Sequence, residues 1–192
     1  MIDLLIIGVV VLVIIIVLLW IITTYNAFVQ IEKQVQNSWA QIDVQLKRQA
    51  DLIPNLVETV KGYAKFEKKV LTDVTKARTA IMSAKTPAQA AKGENMLSGA
   101  LKSIFAVAES YPKLQASENF KSLQEELSST ANKVAFARQF YNDMVMKWNT
   151  LILQFPSNVL ANMFGKNKEK ESFEASASER KNTKVDFSDL SK

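Results

Sequence analysis

An all-α fold is predicted: an N-terminal transmembrane helix, an antiparallel bundle of four long helices, and a disordered, charged C-terminal tail. Three observations carry this. Residues 4–22 form an apolar run without a charge. Beyond it, apolar residues recur at spacings of three and four, the helical period, and not at two. The 192 residues include only 5 Gly and 4 Pro, too few for a turn-rich β fold. The expected organisation is an anchor over 1–24, a bundle over 25–165 and a tail over 166–192.

The anchor comes first. At 1.5 Å per residue, a helix over 4–22 is about 28 Å long, against a hydrocarbon core of about 30 Å. Each central Leu, Ile or Val contributes roughly −0.3 to −0.6 kcal/mol to insertion, so the run outweighs its flanks. Trp20 and Tyr25 stand at the far end, where membrane-interface aromatics sit. The run is too long for a signal peptide, with no basic segment before it and no Ala-x-Ala after it, so a retained helix is expected. Lys33, Lys47 and Arg48 follow the run, whereas positions 1–3 hold no Lys or Arg. The positive-inside rule then expects the N-terminus outside and the bundle in the cytoplasm.

The first helix is expected to continue from the anchor to about residue 52. Phe28, Val35 and Ile42 repeat every seven, as do Trp39, Leu46 and Ile53. Pro54 lacks an N–H and its ring crowds the preceding turn, while Asp51 can cap a fresh helix. A tight turn is therefore expected there, the alternative being a kink in one long helix. The second helix, over 54–84, carries Leu56, Val60, Tyr63, Val70, Val74, Ala77 and Ile81. Glu67 falls in its apolar slot. Either Phe66 takes the slot, or Glu67 makes a buried contact to Arg78 or Arg138.

The third helix, over 88–110, carries Met96, Leu97, Leu101, Ile104, Phe105 and Ala108. The fourth, over 117–155, has the clearest seam: Phe120, Leu123, Leu127, Thr130, Val134, Ala137, Tyr141, Met144, Trp148, Leu151 and Phe155. This is the a/d pattern of a coiled coil or long bundle helix. Ser117 offers an N-cap and Glu118 an early acid for the helix dipole. Short links make sequence neighbours antiparallel. A stub over 158–164 ends at Gly165. The tail beyond mixes both charges with few apolar anchors (Phe173, Val185, Phe187, Leu190) and buries too little to offset its ordering entropy. The alternative there is that Val185-Asp186-Phe187 docks on a partner.

The chemistry is sparse. With no Cys and no His, disulfides, zinc–thiolate sites, haem ligation and His-dependent triads are excluded. No nucleotide-binding glycine loop or hydrolase elbow occurs, and the His-containing di-metal template of helical bundles fails. The net charge of +5 is modest and interleaved, so nucleic acid is not expected. No cofactor, metal or small-molecule substrate is expected. The densest polar run is Asp43, Lys47, Arg48, Asp51, Asn55 and Glu58. Its i,i+4 pairs stabilise a helix by a few tenths of a kcal/mol. It is read either as a solvated, self-paired face or as an interaction surface, with Arg48 and Asp51 foremost.

Several blocks carry a resemblance. They are Tyr25-Asn26-Ala27-Phe28-Val29, Trp39-Ala40-Gln41-Ile42-Asp43-Val44-Gln45-Leu46-Lys47-Arg48, and Asp51-Leu52-Ile53-Pro54-Asn55-Leu56-Val57-Glu58-Thr59-Val60. Later come Glu118-Asn119-Phe120, Ala137-Arg138-Gln139-Phe140-Tyr141-Asn142 and Phe155-Pro156-Ser157-Asn158. Together they resemble the bacterial LemA family over about residues 1–165. The third-helix segment departs most from its pattern. The resemblance implies a single-pass membrane protein with a helical bundle, a magnetosome membrane protein among its relatives, and no enzymatic activity. The expected function is a non-enzymatic scaffold or membrane-organising module in the bacterial inner membrane. Its expected partners are the lipid bilayer and further copies or a protein partner. The alternative is a signalling adaptor that couples a partner across the membrane.

Overall fold

A computed structural model describes residues 1–63 and 68–173, with the backbone alone for Tyr63. Among them are six helices: α1 Ile2–Tyr63, α2 Lys68–Met82, α3 Pro87–Ala108, α4 Pro112–Gln115, α5 Glu118–Leu153 and α6 Ser157–Met163. The all-α fold class and the long apolar N-terminal helix are as expected. Glu67, Phe66 and the Val185-Asp186-Phe187 motif lie outside the described residues. The chain divides into two compact units, Met1–Gln45 with Thr130–Ser172 and Leu46–Ser129 with Phe173–Lys192. Helices α1 and α5 contribute to both.

In the first unit, α1 begins with a membrane-length apolar segment that is exposed as far as Leu19, with Trp20 and Ile21 half-buried. Its burial starts at Phe28 and continues through Val35, Ser38 and Ile42. Helix α5 answers with Val134, Tyr141, Met144, Val145, Trp148 and Ile152. Trp39 faces Tyr141 with ring centres 6.0 Å apart, and Phe28 meets Trp148 edge-on at 6.3 Å. Moving back along α1 from 39 to 28 thus moves forward along α5 from 141 to 148, so the two run antiparallel.

Two positions depart from the expected seam. Ser38 is fully buried where Trp39 was expected, and its hydroxyl donates to the Val35 carbonyl at 2.9 Å. Phe155 is 82% exposed, while Val145 and Ile152 have joined the core. A strict seven-residue repeat drifts by about 20° per heptad on a straight helix, which moves the seam by one position near the end of α5. Gly165, at φ 66°, closes α6 in a Schellman motif: Lys166 N–H donates to the Ala161 carbonyl and Gly165 N–H to that of Asn162.

In the second unit, α1 contributes Leu46, Ala50, Ile53, Leu56 and Val60 to the core, with Val74, Ala77 and Ile81 from α2. Helix α3 adds Leu97 and Ile104, and α5 adds Phe120 and Leu127. Ser117 caps α5 as expected, its hydroxyl accepting from Phe120 N–H at 3.5 Å. Thr86 caps α3 by accepting from Gln89 N–H, and Pro87 occupies the first turn, where its missing donor costs nothing. Below that cap, Gly93 lies against α2. A Cβ there would stand 3.0 Å from the Ile81 nitrogen and 3.2 Å from the Ala80 carbonyl carbon.

The expected turn at Pro54 is not found; Pro54 lies inside α1, which continues to Tyr63. Proline removes the N–H that would donate four residues back, here to the Ala50 carbonyl. That carbonyl instead accepts Nε of Arg78, at 3.1 Å, from α2. The same bond shows that α2 runs back along α1, since residue 78 lies beside residue 50. An interior proline is thus tolerated because a guanidinium replaces the lost donor. Arg78→Ala leaves the Ala50 carbonyl without it and should cost about 1–3 kcal/mol. Pro54→Ala restores the N–H, so the double variant should recover most of that loss. Additive effects in thermal melts of the two single variants and the double would contradict this coupling.

Candidate functional site

The polar run does not close into a pocket. Lys47, Asp51, Asn55 and Glu58, at steps of four, four and three, form an exposed stripe on one side of α1. Arg48 is turned instead toward α5, where its guanidinium stands 3.4 Å from Glu126. Glu58 pairs with Lys61 at 3.0 Å. Both pairs are about half exposed or more, so each contributes little to stability. Asp43 belongs to the first unit and is half-buried. The stripe can therefore offer one basic and two acidic side chains to another surface, but it gathers no chemistry. Among the described residues, no group of three or more His, Cys, Asp or Glu could hold a metal.

At the anchor's end, Trp20 is half-buried. Tyr25 is 40% exposed and meets Phe164 edge-on, with ring centres 5.0 Å apart.

The first unit holds two features that sequence reasoning missed. One is an exposed groove in which Val44 and Ala40 of α1 lie with Phe136 and Phe140 of α5. Its signal is two phenylalanines four residues apart outside the a/d register. The other is a strap. The disordered tail was expected to begin at 166, yet residues 166–172 lie along α5. Trp148 Nε1–H donates to the Lys168 carbonyl at 2.9 Å, and the Tyr141 hydroxyl donates to that of Glu171 at 2.9 Å. Asn149 bonds both ways with the Lys170 backbone, at 3.0 and 2.9 Å. Lys170 also stacks its ammonium 4.9 Å from the Trp148 ring centre, a cation–π contact. Side-chain hydrogen bonds to the strap's backbone hold what apolar burial alone could not. Phe173, beyond the strap, is buried in the second unit.

Glu32 of α1 clamps the strap. It accepts from Lys166 at 2.6 Å and stands 3.7 Å from Lys170. The Lys166 hydrogen bond, with the charges of Lys166, Lys170 and Lys33, holds the Glu32 carboxyl below the usual carboxylate range despite partial burial. The same bond raises Lys166 above the usual lysine range. Burial, with the nearby Glu171 carboxylate, pushes Tyr141 up, so its phenol stays protonated as a donor.

The signs of the pH dependence follow. A lowered Glu32 stabilises the folded state above the usual carboxylate range and loses that contribution as pH falls through its own depressed value. A raised Lys166 contributes below the usual lysine range and loses that contribution as pH rises through its elevated value. Amide exchange over 166–172 should therefore be slow near neutrality and accelerate, after correction for intrinsic exchange, at both extremes. Glu32→Gln should remove the acid limb; an unchanged acid limb would contradict the clamp.

Comparison with known proteins adds one family and several relatives. The LemA family model matches residues 38–187, a stretch that starts beyond the apolar run. Magnetosome protein MamQ 2 of Paramagnetospirillum magneticum is 25% identical over 167 residues, covering 73% of this chain and 61% of that protein. Protein LemA of Metamycoplasma hominis is 24% identical over 140 residues, covering 71% and 63%. Magnetosome protein MamQ of Magnetospirillum gryphiswaldense is 22% identical over 167 residues, covering 73% and 61%. The chain spans about three-fifths of the length of these relatives.

Proposed function

The chain belongs to the LemA family, and from that premise we propose that it is a non-enzymatic scaffold, anchored by a single span in the bacterial inner membrane. Its N-terminus is outside and its helical units are cytoplasmic. The carrying observation is α1 itself. One helix, Ile2–Tyr63, leaves residues 2–19 of its apolar segment exposed and then supplies a core stripe from Phe28 to Val60. An exposed span of this kind is stable in lipid, where every backbone group is already paired within the helix. Relatives named for the magnetosome carry names that refer to a structure and not to a reaction, which supports the scaffold reading.

Self-association uses the stripe of Lys47, Asp51, Asn55 and Glu58. Copies anchored in one membrane stand side by side, and the stripe's mixed charge gives each copy a cation for its neighbour's anion. The protein has no native cysteine, so the test is direct. Asp51→Cys and Asn55→Cys, oxidised in membranes, should yield covalent dimers, while Gly99→Cys, at an exposed position of α3, should not. Monomer at both stripe positions would rule out this interface. The second reading, a transmembrane signalling adaptor, is favoured by the unbroken course of α1 from span into core. Exchanging the apolar run for an unrelated span preserves a scaffold's function and abolishes an adaptor's.

A further inference from the structure

We propose that the corner between α5 and α6 is a second membrane contact, an apolar foot that rests in the lipid interface beside the anchor. Four observations carry it, all within the first unit.

The corner is unusually apolar at its surface. Leu153, Phe155, Val159 and Met163 are 59%, 82%, 57% and 64% exposed. Val159 and Met163, four apart, share one face of α6, while Leu160 and Ala161 are buried on the other.

The corner is also free of charge. No Asp, Glu, Lys or Arg occurs in residues 148–165, although charged residues are spread through the rest of the chain beyond the apolar run. Charge returns at Lys166, which turns back to Glu32.

Its level along α1 is that of the membrane boundary. Trp148 is level with Phe28. Helix α5 then runs on antiparallel to Leu153, about 7.5 Å at 1.5 Å per residue. The same distance back along α1 reaches Thr23, next to the end of the apolar run. The cluster therefore stands where the hydrocarbon core gives way to headgroups, a zone about 5–8 Å deep on each side.

Finally, the corner is joined to the anchor's interface residue. Phe164 packs edge-on against Tyr25, 5.0 Å between ring centres, and Tyr25 is three residues past the apolar run.

An apolar surface at that depth faces lipid unless a protein displaces it. Burying such a face in the headgroup–acyl boundary is how interfacial helices bind. The contact needs no anionic lipid, since the corner carries no basic residue. It would hold the unit against the bilayer and fix its tilt on the anchor. The inference rests on the anchored reading, and its test separates the two.

In the full-length protein, single cysteines at Val159, Met163, Ile14 and Phe136 take an environment-sensitive fluorophore; the absence of native cysteine makes each label unique. The protein is reconstituted in phosphatidylcholine vesicles containing lipids with a spin-label quencher either near the headgroup or deep in the acyl chain. Ile14 reports the span. Phe136, on the exposed groove with Val44, reports a surface well away from it. The shallow quencher should quench labels at 159 and 163 at least about threefold more than at 136, as expected for interfacial burial. Quenching at 159 and 163 no greater than at 136, with Ile14 quenched by the deep lipid, would overturn the foot alone and assign the patch to a protein neighbour. An unquenched Ile14 would overturn the anchor and the foot together.

Discussion

Trp148→Ala is expected to lower the stability of the first unit by about 3–5 kcal/mol, the range for removing a large buried aromatic. Trp148 is 2% exposed and joins three elements. Its ring meets Phe28 of α1, its Nε1–H holds the Lys168 carbonyl of the strap, and its face carries the Lys170 ammonium. Alanine removes all three and leaves a cavity between α1 and α5. Trp148→Phe separates the contributions. It keeps the aromatic contact but loses the hydrogen bond, at a cost of about 1 kcal/mol from that bond. Strap exchange should therefore accelerate in both variants, with the melting temperature falling far more for alanine. A loss below about 1 kcal/mol for Trp148→Ala, small for any buried aromatic, would mean that this cluster does not organise the unit.

Gly93→Val is expected to destabilise the second unit. The α2 backbone approaches Gly93 so closely that a Cβ would stand 3.0 Å from the Ile81 nitrogen. Helix backbone cannot swing aside as a side chain can, so α2 and α3 must separate. Overpacking of this kind costs about 1–3 kcal/mol or more. Gly99, also in α3, has nothing within 4 Å of its own Cβ position. Gly99→Ala should therefore raise stability by up to about 1 kcal/mol through helix propensity alone. Opposite signs at the two glycines, read as shifts in melting temperature, are the expected pattern. Equal stabilisation at both would show that α2 and α3 do not touch at Gly93.

The helices were legible because their signals are local. The α5 seam from Phe120 to Trp148, the Ser117 cap and the Gly165 stop each depend on a few adjacent residues and survive folding unchanged. Pro54 misled because its effect is decided elsewhere. The residue that rescues the orphaned carbonyl, Arg78, lies on another helix, and no local pattern announces it. The strap misled for a related reason. Composition measures apolar burial, and 166–172 has little, but Tyr141, Trp148 and Asn149 supply hydrogen bonds from outside the segment. The apolar foot is hidden in the sequence because Phe155 falls in the seven-residue register of the seam, whereas α5 ends at Leu153 and leaves Phe155 exposed in the turn before α6. The polar run on α1 was legible as an exposed stripe. Its division between Arg48, turned to Glu126, and the outward residues required the fold.

We propose an anchored, self-associating scaffold, and self-association is open to direct measurement. The most direct measurement is the mass of the full-length chain in mild detergent, with detergent subtracted, alone and with the paired substitutions Lys47→Ala and Asp51→Ala. The native chain should form an assembly of more than one copy, and the stripe variant should remain a single copy. A native chain that remains a single copy at every concentration would contradict self-association.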